Sequence, residues 1–412
     1  MKTVLIVSHE LLWPTNTGFR TRVVRMMRWL RGQGFRVVLL AKVDATPPHL
    51  ASLFAGDCDE VITVNADSSR GWFLDTRRRV WMILRPLLAR LRRQQQTVPA
   101  QPGEVRPPTS AEVRAAVFPH WMLDHFRRVA GRVRPDVVIC EYVYMTGVFA
   151  HCPPGVLKIV DTIDVMSSRA EKIGALGVQD PMGCSREEEA ALLRPADVVI
   201  AIQSEEARLL RNLSPSSNVI TVGMDCPTAA AIPVDRPGAA PSVLVVGSDN
   251  ASNLKGLSGF LEKAWPLIRA SHPDATLRLV GNIARAVAGT PPPGVDCAGF
   301  VGDLAREYAS ATLVINPVFA GTGLKIKTVE ALCHGAALVT FPTGVEGIDL
   351  GTGPAPWRCA ETWDRFAENC STLLGDASAR TAQRHLALDF ARASFSPESV
   401  YAPLLKVLTS GQ

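Results

Sequence analysis

The chain contains 412 residues, of which 47% are hydrophobic and 20% charged, and it carries a formal net charge of +5. This apolar content excludes an intrinsically disordered protein, and because a single core stops growing near ~250–300 residues, we expect two domains. Nine scattered cysteines, none of them in a CxxC pair, argue against a disulfide framework and against a zinc knuckle.

The apolar runs of the chain indicate its cellular location. The run TVLIVS at 3–8 is too short for the hydrophobic core of a secretory signal peptide. No run approaches the ~18 apolar residues that a membrane-spanning helix needs. We therefore expect a cytoplasmic protein in a reducing compartment, neither exported nor membrane-spanning.

Short apolar runs alternate with helix-length amphipathic stretches along the chain. This alternation predicts repeated βα units and parallel sheets that are buried on both faces. The predicted strands are 3–8, 36–43, 60–64, 136–142, 157–163, 197–202, 219–223, 242–247, 276–281, 311–317 and 337–341. A helix is predicted over 19–31, directly after a turn that contains Gly18.

A proline-rich segment divides these strands into two groups. Residues 227–242 contain four prolines and only two charged side chains, Asp235 and Arg236, a composition that is typical of a linker. We predict an α/β fold with two Rossmann-like parallel-sheet domains at 1–230 and 239–394. In open sheets of this kind ligands bind at the carboxyl ends of the strands, so we expect a ligand between the two domains.

The strongest functional signal lies in residues 316–348, NPVFAGTGLKIKTVEALCHGAALVTFPTGVEGI. Gly321 and Gly323 allow a tight turn after a predicted strand, and the backbone amides of such a turn can hold a phosphate where a helix opens. We expect that helix to begin near Leu324. Glu330 then lies about 7–9 Å along it, which suits the distance from a diphosphate to the ribose of one nucleotide.

Two lysines follow the same turn. Lys325 and Lys327 both supply positive charge to a bound anion, but successive helical side chains diverge, so only one of them is expected to reach it. The pattern therefore predicts a diphosphate site at the amino terminus of this helix.

These residues resemble the nucleotide-sugar site of glycosyltransferase family 4 enzymes, in which a strand, a proline, a glycine-rich turn and a lysine precede Glu-Ala and a second strand. The likeness continues through the segments 8–30, 160–173, 187–210, 243–282, 299–317 and 395–405. It implies a GT-B fold, in which two Rossmann-like domains face each other across a cleft. The amino-terminal domain handles the acceptor and the carboxyl-terminal domain binds the donor. We further expect the last helix, at about 395–412, to pack back on the amino-terminal domain.

The resemblance also implies the residues of the site. The implied donor-binding residues are Gly18, Gly247, Lys255, Phe300, Val301, Gly321, Thr322, Gly323, Lys325 and Glu330. Within this set, Lys255 contacts the diphosphate and the loop at Phe300 and Val301 reads the base. The implied catalytic residues are Glu141, Asp161 and Asp164. We expect no metal ion, because lysines and a helix terminus neutralise the diphosphate, and no cofactor besides the nucleotide-diphosphate sugar that serves as the donor substrate.

Two positions depart from the family pattern. Thr322 stands where the family often has a first glutamate, eight residues before Glu330. Ile163 stands where many relatives have a histidine that contacts the transferred sugar, which leaves Asp164, Asp161 or Glu141 as candidates for that contact. The retaining stereochemistry of the family is the expected course of the reaction.

Each assignment has a structural alternative. Segment 321–330 could be an ordinary βα turn, and Gly18 a plain turn before a helix. Asp161 and Asp164 could cap a helix and form a surface ion pair with Arg169. Glu141 could be the buried partner of an arginine. The eight histidines have no metal-ligand spacing and are interpreted as structural, although His9 follows the first strand, where a site residue could also lie.

A basic stretch lies between Arg70 and Arg93. It contains eight arginines and Asp75, a net charge of +7, interleaved with aromatic and leucine side chains. Such a face can lie in a membrane interface, where each cation near anionic lipid contributes about 1 kcal/mol. We predict a peripheral contact with the inner face of the cell membrane beside the acceptor site. The alternatives are a solvated helix and a nucleic-acid surface, and no nucleic-acid motif accompanies the charge.

The sequence therefore predicts a glycosyltransferase that moves a sugar from a nucleotide-diphosphate sugar to a saccharide or lipid-linked acceptor in polysaccharide or glycoconjugate biosynthesis. One alternative is a nucleotide-sugar epimerase of the same fold. Another is a nucleotide-sugar-binding protein without catalysis, left open by Thr322 and Ile163. A nicotinamide dehydrogenase is disfavoured because neither domain opens with GxGxxG spacing.

Overall fold

A computed structural model of the chain describes residues 1–15, 17–44, 54, 56–66, 110–174, 180–236, 238–319 and 324–410. The chain divides into two compact units. The first comprises Met1–Ile200 with Leu210–Val219, and the second Ala201–Leu209 with Ile220–Gln412. Each unit has its own parallel sheet with helices, so the predicted α/β class is confirmed. The domain limits 1–230 and 239–394 and the packing of the last helix stay predictions.

The first unit is built on a seven-stranded sheet in the order β3-β2-β1-β4-β5-β6-β7, in which β1 to β6 pair in parallel. Its strands are β1 Thr3–Ser8, β2 Arg36–Lys42, β3 Glu60–Val64, β4 Val137–Glu141, β5 Leu157–Asp161, β6 Val198–Ala201 and β7 Asn218–Thr221. The helices in this part of the chain are α1 Gly18–Gly32, α2 Ser110–Val117, α3 Trp121–Val133, α4 Met166–Gly174, α5 Arg186–Leu193 and α6 Ser204–Leu213, with a 3₁₀ segment at Val143–His151. Every residue of β1 and β4 is buried, which explains why these strands are almost continuously apolar.

The second unit has a six-stranded parallel sheet in the order β10-β9-β8-β11-β12-β13. Its strands are β8 Ser242–Val246, β9 Thr276–Val280, β10 Val295–Gly299, β11 Leu313–Asn316, β12 Leu338–Thr340 and β13 Arg358–Cys359. Its helices are α7 Ala251–Gly259, α8 Trp265–Ser271, α9 Leu304–Ser310, α10 Ile326–Cys333, α11 Trp363–Gly375, α12 Ala377–Ser394 and α13 Pro397–Thr409. A π-helical turn at Phe260–Ala264 joins α7 to α8, and 3₁₀ turns lie at Asn282–Ala286 and Pro342–Val345.

Two hydrophobic layers cover the faces of this second sheet. Val243 and Val245 of β8 belong to one buried cluster, whereas Leu244 between them belongs to the other. Alternate side chains of a strand point to opposite faces of its sheet. The core therefore lies on both faces, and the edge formed by the carboxyl ends of the strands is left for polar side chains.

The predicted elements agree closely with the observed ones. All eleven predicted strands are present, with ends within two residues, and the helix predicted over 19–31 is α1. β10 and β13 were missed, because β10 contains a charged and two small residues and β13 is only two residues long. The helix expected near Leu324 begins instead at Ile326, since Lys325 has a non-helical ψ of 94°.

The segment predicted as a linker contains no helix or strand in its described residues, 227–236 and 238–241. Its Asp235 is held by Arg380 and Arg384 of α12, both nearly buried.

All nine cysteines are free thiols. None of the helices that the structure describes has the length and apolar character needed to span a bilayer. The basic stretch from Arg70 to Arg93 lies outside the described residues.

Candidate functional site

Two helices begin side by side at the carboxyl edge of the second sheet. β8 and β11 are neighbours, and α7 follows the first of them and α10 the second. A Cβ atom on Gly256 of α7 would lie 2.7 Å from the carbonyl oxygen of Pro317 after β11. Only glycine fits there, so α7 lies directly against the end of β11. The amino ends of both helices lie at the same carboxyl edge of the sheet, where an anion would be stabilised.

The turn after β8 is held by its own polar groups. The side chain of Asn250 caps α7 by accepting a hydrogen bond from the backbone NH of Asn253, at 2.9 Å. The buried Asn253 amide donates to the carbonyl oxygen of Ser248, also at 2.9 Å. Gly247 lies at the start of this turn, and its carbonyl oxygen would be 2.4 Å from a Cβ on Gly281, which has a φ of 92°. Backbone therefore packs on backbone at the predicted position Gly247.

Three lysines lie on or directly before the two helices at this edge. The Lys255 ammonium lies 5.4 Å from the ring centre of Phe319. Lys325 occupies the N-cap position of α10 without a side-chain capping bond, and its Nζ is 4.0 Å from the Oε2 of Glu346. Lys327 donates a hydrogen bond to the Oδ1 of Asn253.

Lys327 differs electrostatically from an ordinary surface lysine. Desolvation, reinforced by the positive charge of Lys325, lowers the pKa of Lys327 to about 7. Its ammonium group is therefore only partly charged near neutrality. A negative ligand placed beside it would restore the charged form.

Glu330 lies on α10 and interacts with a buried tyrosine from α9. The Tyr308 hydroxyl donates to the Oε2 of Glu330 at 3.4 Å, and its ring stacks on His334 at 4.8 Å. Burial, and then the charge of Glu330, raise the pKa of Tyr308 well above its usual value. The hydroxyl thus stays protonated and can orient the carboxylate.

The loop that would read a base follows β10. Phe300 is 77% exposed, whereas Val301 is partly buried against the second hydrophobic layer. A large exposed aromatic ring beside a fixed aliphatic side chain can stack on a planar ligand. The remaining predicted donor residues of this unit, Gly321, Thr322 and Gly323, lie outside the described residues.

The carboxyl edge of the first sheet contains a buried acid cluster. Glu141 and Asp161 end the neighbouring strands β4 and β5 and are in register. Both are 0% exposed, and Arg22 of α1, 1% exposed, donates to the Oδ2 of Asp161. Neither carboxylate oxygen of Glu141 has a hydrogen-bond partner among the described residues. Burial and the charge of Asp161 raise the pKa of Glu141 well above its usual value, against the opposing charge of Arg22.

Asp164 is the predicted carboxylate that solvent reaches. Its side chain is 22% exposed, and its Oδ2 lies 3.3 Å from Arg169. Arg169 also lies 3.2 Å from the buried Asp180. Ile163, at the position of the family's histidine, has a φ of 62°, a conformation that a β-branched residue rarely adopts. The ion pair of Asp164 with Arg169 matches one structural alternative for these residues.

The first strand and first helix complete this edge. Gly18 is the first residue of α1, which Thr17 caps through its side chain. His9 packs edge-on against Tyr142 at 4.9 Å between ring centres. Burial, the largest effect, lowers the pKa of His9 to about 4, so its ring is neutral at physiological pH. Arg20 binds Glu10 through two hydrogen bonds of 2.8 and 3.0 Å.

The structure thus brings Gly247, Lys255, Lys325 and Glu330 to one sheet edge, and Gly18, Glu141, Asp161 and Asp164 to the other. Sequence reasoning missed Tyr308 and Asn253, whose contacts with α10 come from other helices. No spacing in the sequence indicates either contact. Among the described residues, no group of three histidine, cysteine, aspartate or glutamate side chains is arranged to hold a metal ion.

Comparison with known protein families identifies a match within the second unit. Residues 240–376 match the family model described as glycosyl transferases group 1. No curated protein sequence matches the chain.

Several solved structures share the fold. The chain is similar to a sucrose-phosphate synthase from Thermosynechococcus elongatus, with a TM-score of 0.69, 16% identity and 100% of both chains covered. It is similar to TarM from S. aureus, solved with fondaparinux, alpha-GlcNAc-glycerol and UDP, with a TM-score of 0.67, 11% identity, and 99% of this chain and 100% of TarM covered. HepE from Anabaena, solved with UDP and glucose, has a TM-score of 0.63 and 12% identity, with 100% of both chains covered. The predicted GT-B fold class, with two Rossmann-like domains, is confirmed.

The group 1 match lies on the part of the chain that carries the lysines and Glu330. Together with the fold, it supports the prediction of a nucleotide-sugar glycosyltransferase. The finer assignment to family 4 stays a prediction.

Proposed function

We propose that this chain is a glycosyltransferase of family 4 that transfers a sugar, with retention and without a metal ion, from a nucleotide-diphosphate sugar to a saccharide or lipid-linked acceptor. The observation that carries the proposal is that Lys255, Lys325 and Lys327 lie on or directly before two helices that begin at one sheet edge, with Lys327 hydrogen-bonded to Asn253 of the other helix. Glycosyl transfer expels a nucleoside diphosphate, so its transition state needs positive charge and amide donors at the leaving phosphates.

The remaining donor contacts follow from this placement of the diphosphate. Glu330, five residues into α10, accepts hydrogen bonds from the ribose hydroxyls, with Tyr308 holding its carboxylate. Phe300 stacks on the base. We propose that the lysines take the role that a divalent cation has in other transferases, because they neutralise the same phosphate charges.

The sugar contact falls to Asp164 among the three predicted carboxylates. Glu141 and Asp161 are wholly buried, and Asp161 is neutralised by Arg22. In this proposal neither buried acid contacts the sugar, and Asp161 joins the end of β5 to α1 through Arg22, whereas Asp164 keeps solvent access. The acceptor, the biosynthetic context and the membrane contact through the stretch from Arg70 to Arg93 stay predictions. The UDP found with TarM and HepE makes UDP-sugars the first donors to test.

Calorimetry with UDP-, GDP- and ADP-sugars tests the donor site. We expect Lys325→Ala and Glu330→Ala each to weaken binding of the preferred donor at least about tenfold, the effect of losing a charge-assisted hydrogen bond. Lys263→Ala is the matched control, because Lys263 is exposed in the π-helical turn of the same unit. If both site variants bind every donor as the unaltered protein does, the proposal is wrong.

Acceptor dependence separates transfer from epimerisation. Nucleoside diphosphate released only after addition of a saccharide or lipid-linked acceptor indicates a transferase. Conversion of the nucleotide sugar without any acceptor indicates the epimerase, and tight binding without turnover across a broad acceptor screen indicates a binding protein.

A further inference from the structure

Lys327 has an environment that sets it apart from the other two lysines at the edge of the second sheet. Its Nζ is held by the Oδ1 of Asn253, whose amide nitrogen is in turn bound to Ser248. The side chain thus connects the start of α10 to the turn that begins α7. It is partly buried, whereas Lys255 is exposed.

We propose that Lys327 takes up a proton when the diphosphate of the donor binds beside it, and that this protonation strengthens donor binding as the pH falls. The inference rests on the proposed function, since it requires an anion at this edge. In this proposal Lys327 acts through its charge beside the diphosphate, while its hydrogen bond to Asn253 ties the start of α10 to α7.

Burial lowers the pKa of Lys327 in the free protein, and the positive charge of Lys325 lowers it further. Lys325, at the start of the same helix, repels the protonated form, and Lys255 on α7 adds a second positive charge at this edge. Glu346, after the 3₁₀ turn packed on α10, is drawn toward Lys325 at 4.0 Å. A bound diphosphate would reverse this balance, because its negative charge favours the protonated amine.

The pH dependence has a defined sign. With a pKa of about 7 in the free protein, Lys327 is already charged at pH 6, and binding there takes up almost no proton. Above pH 7 the free protein has lost the proton that the complex holds, so affinity falls as the pH rises. If the complex raises this pKa by two units, the dissociation constant increases about tenfold between pH 6 and pH 8.

UDP-glucose is a suitable probe because both phosphates of its diphosphate are esterified, so neither ionises between pH 6 and pH 8. Titrations in HEPES and Tris, which differ in ionisation enthalpy, report the protons taken up on binding. If UDP-glucose does not bind, the tightest ligand of the GDP- and ADP-sugar series replaces it. Failure of every nucleotide sugar to bind contradicts the proposed function itself.

Two substitutions test whether Lys327 is the group that takes up the proton. Lys327→Met keeps an unbranched apolar stem close to that of lysine and removes the amine, and we expect weaker binding at pH 6, no proton uptake and a flat pH profile. Lys327→Arg keeps the charge at every pH, and we expect affinity within about threefold of the unaltered protein at pH 6, again with a flat profile. Lys263→Met, at an exposed position, should keep the original profile.

Several results would overturn the inference while leaving the donor site intact. The first is that the unaltered protein binds the donor with the same affinity at pH 6 and at pH 8. Proton uptake that persists in Lys327→Met is another, since it would place the titrating group elsewhere. If Lys327→Met fails to fold by circular dichroism, the Lys327→Arg profile decides: a tenfold pH dependence in that variant contradicts the assignment to Lys327.

Discussion

The carboxyl edges of the two sheets differ in how their positive charges are balanced. At the first, arginines are neutralised by carboxylates: Arg22 by Asp161, Arg20 by Glu10, and Arg169 by Asp164 and Asp180. At the second, three lysines contact an amide, an aromatic ring and, at 4.0 Å, one glutamate. The same architecture therefore produces one edge that is neutralised internally and another suited to an anion. The fold alone therefore does not decide the function; the side chains that follow each strand decide it.

The largest effect that this comparison predicts is on the stability of the first unit. Replacing Arg22 by alanine leaves Asp161 buried without its partner, which should lower the free energy of unfolding by about 3–5 kcal/mol. Arg31→Ala is the control, since the Arg31 pair with Asp59 is 42% and 31% exposed and should contribute only about 0–1 kcal/mol. Urea unfolding followed by circular dichroism measures both. Equal losses in the two variants would show that burial of the acid cluster has no special cost.

Alanine substitutions at one glycine in each unit compare how tightly the two helices concerned are packed. Gly256→Ala places a Cβ 2.7 Å from a backbone oxygen, and we expect it to destabilise the second unit by about 1–3 kcal/mol. Gly131→Ala, in α3 of the first unit, meets nothing within 4 Å and should stabilise by up to about 1 kcal/mol through helix propensity. Thermal unfolding gives the sign of each change. A stabilising Gly256→Ala would mean that α7 does not lie against β11 as described.

The smallest expected effect is on ligand binding, and it tests the role of Glu330. Tyr308→Phe removes the hydroxyl that donates to this carboxylate, and a typical hydrogen bond contributes about 1 kcal/mol. We expect UDP binding, measured by calorimetry, to weaken about fivefold. Binding of pyrophosphate, which has no ribose, is the internal control and should not change. A similar loss for both ligands would place the effect on the lysines or on the helix start.

Much of the fold could be predicted, for a physical reason. A parallel strand buried on both faces must be apolar along its length, and runs such as those of β1 and β8 show this directly. β10 was not predicted because its VDCAG sequence is polar and small. The helix after the glycine turn was placed two residues early, since propensity does not reveal that Lys325 leaves the helical conformation.

The candidate site was predicted in part, through residues that follow strands within a recognisable pattern. Lys325 and Glu330 belong to that pattern, whereas Tyr308 does not. Tyr308 comes from α9 and meets Glu330 only when the two helices pack, 22 residues apart in the chain.

The sequence by itself determined the two sheets, the sites where their strands end and the chemical groups available there, because burial and turn formation are local demands on composition. Only the tertiary structure decided how each group is used. Asp161 and Asp164 are three residues apart, yet one is sealed beside Arg22, 139 residues distant, and the other reaches solvent. Lys325 and Lys327 face different partners. Solvation and charge pairing depend on distant neighbours, and packing alone brings those neighbours together.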